Sequence, residues 1–241
     1  MKKPLSVFTA AARGIALFAA LAWPALRAND HTAAPVAPTA HATAPSEAEH
    51  PTPDAALQRL LDGNARYAAG HAEHPNQTVA RRIEVAKGQT PFAAIVTCSD
   101  SRAAPEFYCD QGLGDLFVVR DAGNILNDHV IGSLEYAVEH LHVSVIVVIG
   151  HEKCGAVSAA VAGGHADGRI ATIVEAIRPA VVETRNQAGD KVDNAIRGNA
   201  RRAAVALGAT SPIIAAAIRA GEVKVFAGRY DLTSGRVELL P

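Results

Sequence analysis

Two short segments of this chain carry side chains that could bind a metal ion. Residues 98–102 (CSDSR) place a thiol, a carboxylate and a guanidinium at alternate positions, so in an extended backbone all three point to one side. Residues 150–155 (GHEKCG) add an imidazole and a second thiol. Each segment follows an apolar run, 92–96 in the first case and 143–149 in the second. The pattern predicts reactive groups at the ends of two buried strands.

Two thiolates and one imidazole are suitable ligands for zinc. The sequence offers these groups at Cys98, His151 and Cys154. In an open parallel sheet, ligands bind beyond the carboxyl ends of the strands, at a point where the strand order reverses. One ion can contact both segments only if the strands that precede them are neighbours. A further strand predicted at 116–120 then lies on the outer side of the first. The zinc hypothesis therefore predicts a strand order of 2-1-3.

The fourth metal position decides whether such a site is catalytic. Asp100 is the next available ligand, but Arg102 can hold it in a bidentate ion pair. If Arg102 holds the carboxylate, water takes the fourth position, and a zinc-bound water with a pKa near ~7 is a nucleophile at neutral pH. If Asp100 binds zinc instead, the site is closed and inert. The alternative without metal is a disulfide between Cys98 and Cys154, while Cys109 is expected to be a small buried hydrophobe.

The rest of the chain alternates predicted strands and helices, which indicates an α/β domain with a mainly parallel central sheet flanked by helices. The strands are predicted at 92–97, 116–120, 143–149, 223–230 and 236–240. Helices are predicted from Pro53 onwards and at 79–87, 127–140, 155–162, 170–185, 192–207 and 212–220. The last two strands form a closing pair around a turn at 231–235.

The N-terminal segment differs in composition from this domain. Residues 1–28 have a basic start, a short apolar core and a small residue, Ala28, at a cleavage position, which is typical of a secretory signal peptide. The alternative is an apolar anchor that is never removed. Residues 29–52 are rich in Ala, Pro, Thr and His without a hydrophobic period, which predicts a disordered linker. The folded domain then spans 53–241, in a periplasmic protein.

The overall composition narrows the range of partners. With 23 Lys and Arg against 24 Asp and Glu, the formal net charge is −1, so there is no electrostatic reason to expect nucleic acid or an anionic membrane surface as a partner. Hydrophobic residues make up 49% and charged residues 20% of the chain, which is usual for a soluble globular protein. The three cysteines are an odd number, which excludes a complete disulfide framework. We therefore expect neither nucleic acid nor, once the signal is removed, a membrane as partner.

Four motifs resemble those of the β-class carbonic anhydrases. They are 98–102 (CSDSR), 110–120 (DQGLGDLFVVR), 122–124 (AGN) and 150–156 (GHEKCGA), and the similarity runs from about Asp54 to the C-terminus. The resemblance implies reversible hydration of CO2 to bicarbonate and a proton, with one zinc ion per chain. It also implies a sheet core of order 2-1-3-4 with one added antiparallel strand, and an N-terminal helical arm that wraps a neighbouring subunit in a homodimer or higher homo-oligomer.

The resemblance assigns roles to the residues of the two metal-binding segments. Cys98, His151 and Cys154 would be the zinc ligands, and Asp100 would be a ligand only in a closed form. In the open form Asp100 and Arg102 would act as a dyad, in which the carboxylate accepts a hydrogen bond from the zinc-bound hydroxide and orients it toward CO2.

Residues outside these segments also match positions of the family. Gln89 would bind substrate or bicarbonate, and the backbone N–H of Gly155 is placed to help. Tyr136 and His140, four residues apart on a predicted helix, match positions linked to proton transfer. The alternative for this pair is a packing role.

The residues around the first zinc cysteine depart from one branch of the family. The members that close at low pH around an inhibitory bicarbonate have Trp-x-Gly before that cysteine and Val after the dyad arginine. This chain has Ile95 and Thr97 in place of the first two, and Ala103 in place of the third. The departure predicts an open site, with Asp100 paired with Arg102 near neutral pH and solvent as the fourth ligand.

Two other functions fit the same residues. One is hydrolysis of a related heterocumulene such as carbonyl sulfide or CS2, which depends on pocket walls that the motifs do not define. The other is a non-catalytic zinc-binding protein. Asp100 and Arg102 count against it, because a storage site needs no gate. Hydration of CO2 is the leading prediction.

Overall fold

A computed structural model describes residues 50–241 of the chain. The predicted signal peptide, and the predicted linker as far as residue 49, lie outside these described residues. Within them, five strands form one sheet with helices on both faces. The strands are β1 (Ala93–Thr97), β2 (Leu116–Arg120), β3 (Val145–His151), β4 (Lys224–Tyr230) and β5 (Val237–Leu240). The helices are α1 (Pro53–Ala68), α2 (Val79–Val85), α3 (Pro105–Tyr108), α4 (Asp128–Glu139), α5 (Gly155–Ala162), α6 (Ile170–Thr184), α7 (Lys191–Thr210) and α8 (Pro212–Ala220), with a 3-10 turn at Ala122–Asn124.

The sheet has the strand order β2-β1-β3-β4-β5. β1 pairs in parallel with both β2 and β3, β3 pairs in parallel with β4, and β5 is antiparallel to β4. The predicted order 2-1-3-4 with one added antiparallel strand is therefore confirmed. Because β1 and β3 are neighbours, the two metal-binding segments leave the sheet side by side at the same edge.

Side chains of the central strands alternate between the two faces of the sheet. Val96 of β1 and Ile146 and Val148 of β3 point to one face, where α4, α7 and α8 cover them. Ile95 and Val147 point to the other face, which α1 and α3 cover. Every residue of β1 and β3 is buried, as expected for central parallel strands. Both strands that lead to the metal-binding segments are thus held rigidly between two helical layers.

Helix α1 is joined to the C-terminal hairpin by one buried side chain. Asn64 donates from Nδ2 to the carbonyl oxygens of Tyr108 and Gly235, both at 2.8 Å. Its Oδ1 accepts a hydrogen bond from the N–H of Val237 at 2.8 Å. These contacts show that the first helix of the N-terminal arm packs on its own chain.

Helix α2 differs from α1, since none of its side chains is buried. Arg81 holds it to the rest of the chain by donating from Nε to the carbonyl oxygen of Leu113 at 2.9 Å. Val79 and Ile83 are 63% and 60% exposed. The second helix of the arm therefore presents an apolar face that its own chain leaves open.

Cys109 lies in the core that covers the α1 side of the sheet. Burial raises the pKa of its thiol far above the usual range. Gly63 of α1 approaches its backbone so closely that a Cβ at Gly63 would lie 1.9 Å from the Cys109 carbonyl oxygen. The prediction that Cys109 is a small buried hydrophobe is confirmed.

Two differences from the predicted elements affect the site. The apolar run predicts a strand over 143–149, whereas β3 begins at Val145 and continues to His151, because its last two residues pair with β4. The short helix α3 was not predicted, because four residues are too few to show a helical period.

Among residues 50–241, no single helix is long and apolar enough to cross a bilayer. Helices α7 and α8 satisfy the length and hydropathy criteria only as a pair, bent by 93° at their junction.

Candidate metal centre

The metal-binding groups meet where β1 and β3 end. Thr97, the last residue of β1, lies opposite Ile149 of β3, so Cys98 emerges beside the end of β3, where His151 is the final residue. Cys154 is the capping residue at the N-terminus of α5. The short turn between β3 and α5 therefore brings the second thiol back to the first.

Cys98, His151 and Cys154 form a buried cluster whose ligand atoms all lie within 4.8 Å of one another. The two sulfur atoms are 3.9 Å apart and both thiols are free, so the structure does not have the alternative disulfide, whose bond length would be about 2.05 Å. A tetrahedral ion with Zn–S bonds of about 2.3 Å holds two sulfur atoms about 3.8 Å apart. The spacing of the thiols fits one shared ion, and no other such cluster occurs within residues 50–241.

His151 presents one ring nitrogen to this cluster. Its side chain is 0% exposed, and Nδ1 donates to the carbonyl oxygen of Glu152 at 2.9 Å, which leaves Nε2 with a free lone pair. Nε2 has no hydrogen-bond partner, although buried polar atoms nearly always have one. A metal ion between Nε2 and the two sulfur atoms would supply this partner. The residues present therefore fit a bound metal.

The pKa values of the two thiols of the cluster shift in opposite directions. The Cys154 thiol lowers the pKa of Cys98, burial opposes this effect, and the N–H of Gly123, which donates to the Cys98 sulfur at 3.2 Å, lowers that pKa further. The neighbouring Cys98 sulfur and burial raise the pKa of Cys154. The first proton of the pair is therefore lost more readily from Cys98 than from Cys154. Metal binding needs both thiolates and releases the remaining proton.

Asp100 borders the cluster and is held by Arg102. Nε and Nη2 of Arg102 donate to Oδ1 and Oδ2 of the carboxylate at 2.9 and 2.8 Å, and the backbone N–H of Arg102 donates to Oδ1 at 2.9 Å. The Arg102 side chain keeps the pKa of Asp100 well below its usual range, although burial opposes the shift. Oδ2 lies 3.8 Å from Nε2 of His151. The carboxylate thus lies close to where an ion would bind, but both of its oxygen atoms accept hydrogen bonds from the guanidinium.

Arg120 fixes the loop that carries Cys98 and Asp100, a role that was not predicted. Its Nε donates to the Cys98 carbonyl oxygen at 3.1 Å, and its Nη2 donates to the Asp100 carbonyl oxygen at 2.6 Å. One planar guanidinium therefore sets the path of the backbone through both residues. The signal for it in the sequence is an arginine at the end of the apolar strand that neighbours the cysteine strand.

The 3-10 turn after β2 places a backbone donor on the sulfur atom of Cys98. Gly123 in this turn has a φ of 73°, a conformation that glycine adopts without strain, and its N–H donates to Cys98 Sγ. Its carbonyl oxygen accepts a hydrogen bond from Nδ2 of Asn199 on α7 at 2.8 Å. Neither contact was predicted, because Asn199 is distant in sequence and belongs to no motif.

Two residues predicted to bind substrate lie at opposite ends of the sheet. Gly155 begins α5 directly after Cys154, and it is exposed next to the cluster. Gln89 is exposed and precedes β1, whereas the cluster lies beyond the other end of that strand, which spans roughly 16 Å. The structure therefore brings Gly155, but not Gln89, to the cluster of its own chain.

The predicted proton-transfer pair shares one face of α4. The ring centroids of Tyr136 and His140 are 5.2 Å apart. The Tyr136 ring also lies 6.2 Å from that of Phe117, near the start of β2. This pair is therefore displaced along the sheet from the metal cluster, which lies beyond the end of β1.

Comparison with known sequences identifies one family. The family described as carbonic anhydrase matches residues 93–237. Carbonic anhydrase 2 of Mycobacterium tuberculosis is 41% identical over 191 residues, which cover 78% of this chain and 92% of that protein. The carbonic anhydrase of Mycolicibacterium smegmatis is also 41% identical over 191 residues, covering 78% of this chain and 93% of that protein.

Solved structures agree with the sequence comparison. A tetrameric β-carbonic anhydrase from Sordaria macrospora superimposes with a TM-score of 0.62 at 25% identity, covering 76% of this chain and 96% of that one. The β-carbonic anhydrase of Coccomyxa, in complex with acetazolamide, gives a TM-score of 0.61 at 27% identity, covering 76% and 86%. Sequence, strand order and the Cys-His-Cys cluster lead to one conclusion: the chain belongs to the β-class carbonic anhydrases, a family of lyases.

Proposed function

We propose that this chain hydrates CO2 reversibly to bicarbonate and a proton at a single zinc ion. The observation that carries the proposal is that three strong ligands converge, while the carboxylate nearest to them is paired with an arginine. Cys98, His151 and Cys154 would hold the ion, since zinc prefers thiolate and imidazole donors. A zinc ion with three protein ligands supplies a nucleophile at neutral pH from a water molecule in its open position. A structural site would instead be closed by a fourth ligand of the same kind.

Asp100 orients the nucleophile in this proposal. Its carboxylate can only accept hydrogen bonds while it is ionised, and the Arg102 side chain keeps its pKa well below the usual range. It therefore accepts a hydrogen bond from the attacking group and directs the free lone pair of that group toward CO2. For the same reason Asp100 does not take up the proton that the reaction releases, and this proton must leave through another group.

Arg102 keeps the fourth position open. It holds both carboxylate oxygens of Asp100 at hydrogen-bond distance, and its side chain is 53% exposed. Solvent therefore reaches the pair. Oδ2 of Asp100 lies 3.8 Å from His151 Nε2. After a short movement this oxygen would leave Arg102 and bind the metal instead. The pairing supports an open site near neutral pH.

The substrate contacts involve Gly155 and Gln89. The N–H of Gly155 lies at the N-terminus of α5, where the helix dipole favours an anionic oxygen such as that of bicarbonate. Gln89 can contribute only to the site of a neighbouring copy, because the cluster of its own chain lies beyond the opposite end of β1. We therefore propose a homo-oligomer, which the exposed apolar face of α2 and the tetrameric Sordaria relative support.

Tyr136 and His140 lie away from the cluster of their own chain, so they would carry to solvent the proton released at the cluster of a neighbouring copy. Tyr136 is 45% exposed and the two rings are close neighbours, so both can exchange protons with buffer. We expect the His140→Ala variant to hydrate CO2 more slowly than wild type in dilute buffer. Its rate should recover in concentrated imidazole buffer. A rate that does not depend on buffer concentration in either protein would refute this role.

We also propose that residues 1–28 are a cleaved signal peptide, that 29–52 are a linker, and that 53–241 act in the periplasm. The composition of the N-terminal segment supports this proposal. N-terminal sequencing of the protein from the periplasmic fraction should give a start near Asn29. A full-length chain retained in the cytoplasm would refute it.

The decisive test of the proposed reaction combines zinc content with stopped-flow CO2 hydration. We expect one zinc per wild-type chain, and we expect Asp100→Ala to lose turnover while it keeps its zinc. Asp167→Ala is the matched control, because within residues 50–241 the one ionic partner of this exposed carboxylate is His165. Loss of zinc from Asp100→Ala would contradict the dyad role.

The same preparation separates the competing functions. Sulfide release from carbonyl sulfide or CS2 without CO2 hydration would favour the heterocumulene hydrolase. A wild-type chain with zinc but no turnover of any of the three substrates would indicate a zinc-binding protein.

A further inference from the structure

The 3-10 turn at Ala122–Asn124 contacts the sulfur atom of Cys98. Gly123 in this turn makes two hydrogen bonds in opposite directions. Its N–H donates to the Cys98 sulfur at 3.2 Å, and its carbonyl oxygen accepts from Asn199 Nδ2 at 2.8 Å. A single residue therefore connects a metal-binding sulfur with a side chain on α7.

The turn is confined by three helices. A Cβ at Gly123 would lie 2.6 Å from Cδ1 of Ile177 on α6 and 3.2 Å from Cβ of Ala156 on α5. The third contact is the hydrogen bond from Asn199 on α7. The first two contacts are apolar and limit where the turn can lie. The hydrogen bond is directional, and it sets the rotation of the backbone at a residue whose dihedral angles are otherwise free.

Asn199 is unusual for its surroundings. It is 6% exposed, and one turn earlier on the same helix Ala195 and Ile196 belong to the apolar cluster that includes Cys98 and Cys154. An amide group in such a place is unfavourable unless it is hydrogen-bonded. Its amide nitrogen meets this requirement through the Gly123 carbonyl oxygen.

We propose that Asn199 is a positioning residue for the metal centre: through Gly123 it aims a backbone N–H at the Cys98 sulfur. A donor on a thiolate withdraws charge from the sulfur, and it also fixes the position of the sulfur relative to the other ligands. Asn199 thereby tunes how strongly Cys98 donates to the metal. This assignment rests on the proposed zinc site and adds to it a residue that contacts neither metal nor substrate.

Replacement of Asn199 removes a hydrogen-bond partner of Gly123, which itself donates to the proposed ligand Cys98. Such losses typically reduce metal affinity by about 10–100-fold. Without Asn199 the Gly123 N–H is no longer held on the Cys98 sulfur, so the sulfur lone pairs rise in energy and the sulfur-to-metal charge-transfer band of a cobalt(II) derivative moves to longer wavelength. A role confined to fold stability would change neither the band position nor the affinity of the folded protein.

The test uses the full chain with zinc and with cobalt(II). Asn199→Leu keeps most of the buried volume and removes the amide donor, while Asn199→Ala is a second variant that removes it with less apolar bulk. Thr184→Val is the matched control: this buried threonine donates to the Ala180 carbonyl oxygen at 2.8 Å on α6 and packs against α7 at Gly198. It has no contact with the turn at Gly123.

We expect both Asn199 variants to bind zinc about 10–100-fold more weakly than wild type in competition with a chelator, and to shift the cobalt band to longer wavelength. Thr184→Val should keep the wild-type affinity and band. Folded Asn199 variants with unchanged affinity and band would overturn the assignment while leaving the zinc site intact. Failure of both Asn199 variants to fold, with Thr184→Val folded, would also overturn it, since the asparagine would then serve the fold. A wild-type chain that binds no zinc would overturn the proposed function as well.

Discussion

Replacement of Gly123 by alanine tests how the backbone conformation and the close packing of this residue contribute to stability and to metal binding. An alanine at a φ of 73° is strained by about 1 kcal/mol relative to glycine. Its Cβ would also lie 3.2 Å from Ala156 Cβ and 2.6 Å from Ile177 Cδ1. The isoleucine tip can rotate away but Ala156 cannot, and overpacking of this kind costs about 1–3 kcal/mol. We expect Gly123→Ala to lower the free energy of unfolding by about 2–4 kcal/mol.

Gly70→Ala is the matched control for this variant. Gly70 has a φ of 74°, and a Cβ there would meet nothing within 4 Å. It should therefore lose only the backbone component, about 1 kcal/mol. Urea unfolding of both metal-free variants at pH 7 gives the difference between them. Chelator competition then measures zinc affinity, which should fall for Gly123→Ala because the N–H donor on Cys98 is displaced.

Two results would refute this reasoning. If both variants lose the same free energy of unfolding, the contacts with Ala156 and Ile177 are not restrictive. If Gly123→Ala keeps wild-type zinc affinity and CO2 hydration, the N–H of Gly123 has no influence on the metal centre.

Three further predictions concern the site and its support. A chelator should abolish CO2 hydration, and zinc but not magnesium should restore it, because thiolate and imidazole donors discriminate against magnesium; recovery with magnesium would contradict the ligand set. Arg120→Ala should lower kcat/KM for CO2 hydration by about 10–100-fold with zinc retained, because the loop of Cys98 and Asp100 loses its brace; Arg120→Lys should not rescue it, since an ammonium cannot span both carbonyl groups. Burial raises the pKa of Asp110, but the hydrogen bond from the N–H of Glu73 and those from other donors outweigh burial, so the folded pKa is lowered. The Asp110 carboxylate therefore stabilises the fold above the unfolded pKa of about 3.9. This stabilisation is lost as the pH falls through the lower folded pKa. The difference in free energy of unfolding between wild type and Asp110→Asn, measured in urea, should therefore narrow as the pH falls below about 4, and a constant difference would refute the shift.

The strand order could be predicted because chemistry and hydrophobic pattern impose the same constraint. Cys98 and His151 each follow a buried apolar strand, and only neighbouring strands can bring both to one ion. The helices contribute nothing to this constraint, and the observed strand order confirms the prediction. The ends of β3 were less well predicted, because pairing with β4, rather than the local apolar run, extends the strand to His151.

The supporting residues of the site could not be predicted for a physical reason. Arg120 and Asn199 donate to backbone carbonyl groups, and Gly123 donates from its own backbone. None of these contacts joins two side chains, so the sequence shows no pattern for them. Asn199 lies on a helix whose apolar period gives no sign that one polar position faces inward. Only the packing of α7 against the turn at Gly123 shows why an amide is buried there.

The position of the metal ligands on two neighbouring strands has a consequence for how the enzyme matures. Cys98 follows the end of β1 and His151 ends β3, and β2 and α4 lie between them in the chain. No local segment holds the complete ligand set, so an ion cannot nucleate folding as it does in a zinc finger. At the proposed zinc site, strand pairing would therefore come before complete coordination of the ion. Zinc that copurifies with the protein would then report the share of molecules whose central strands have paired correctly.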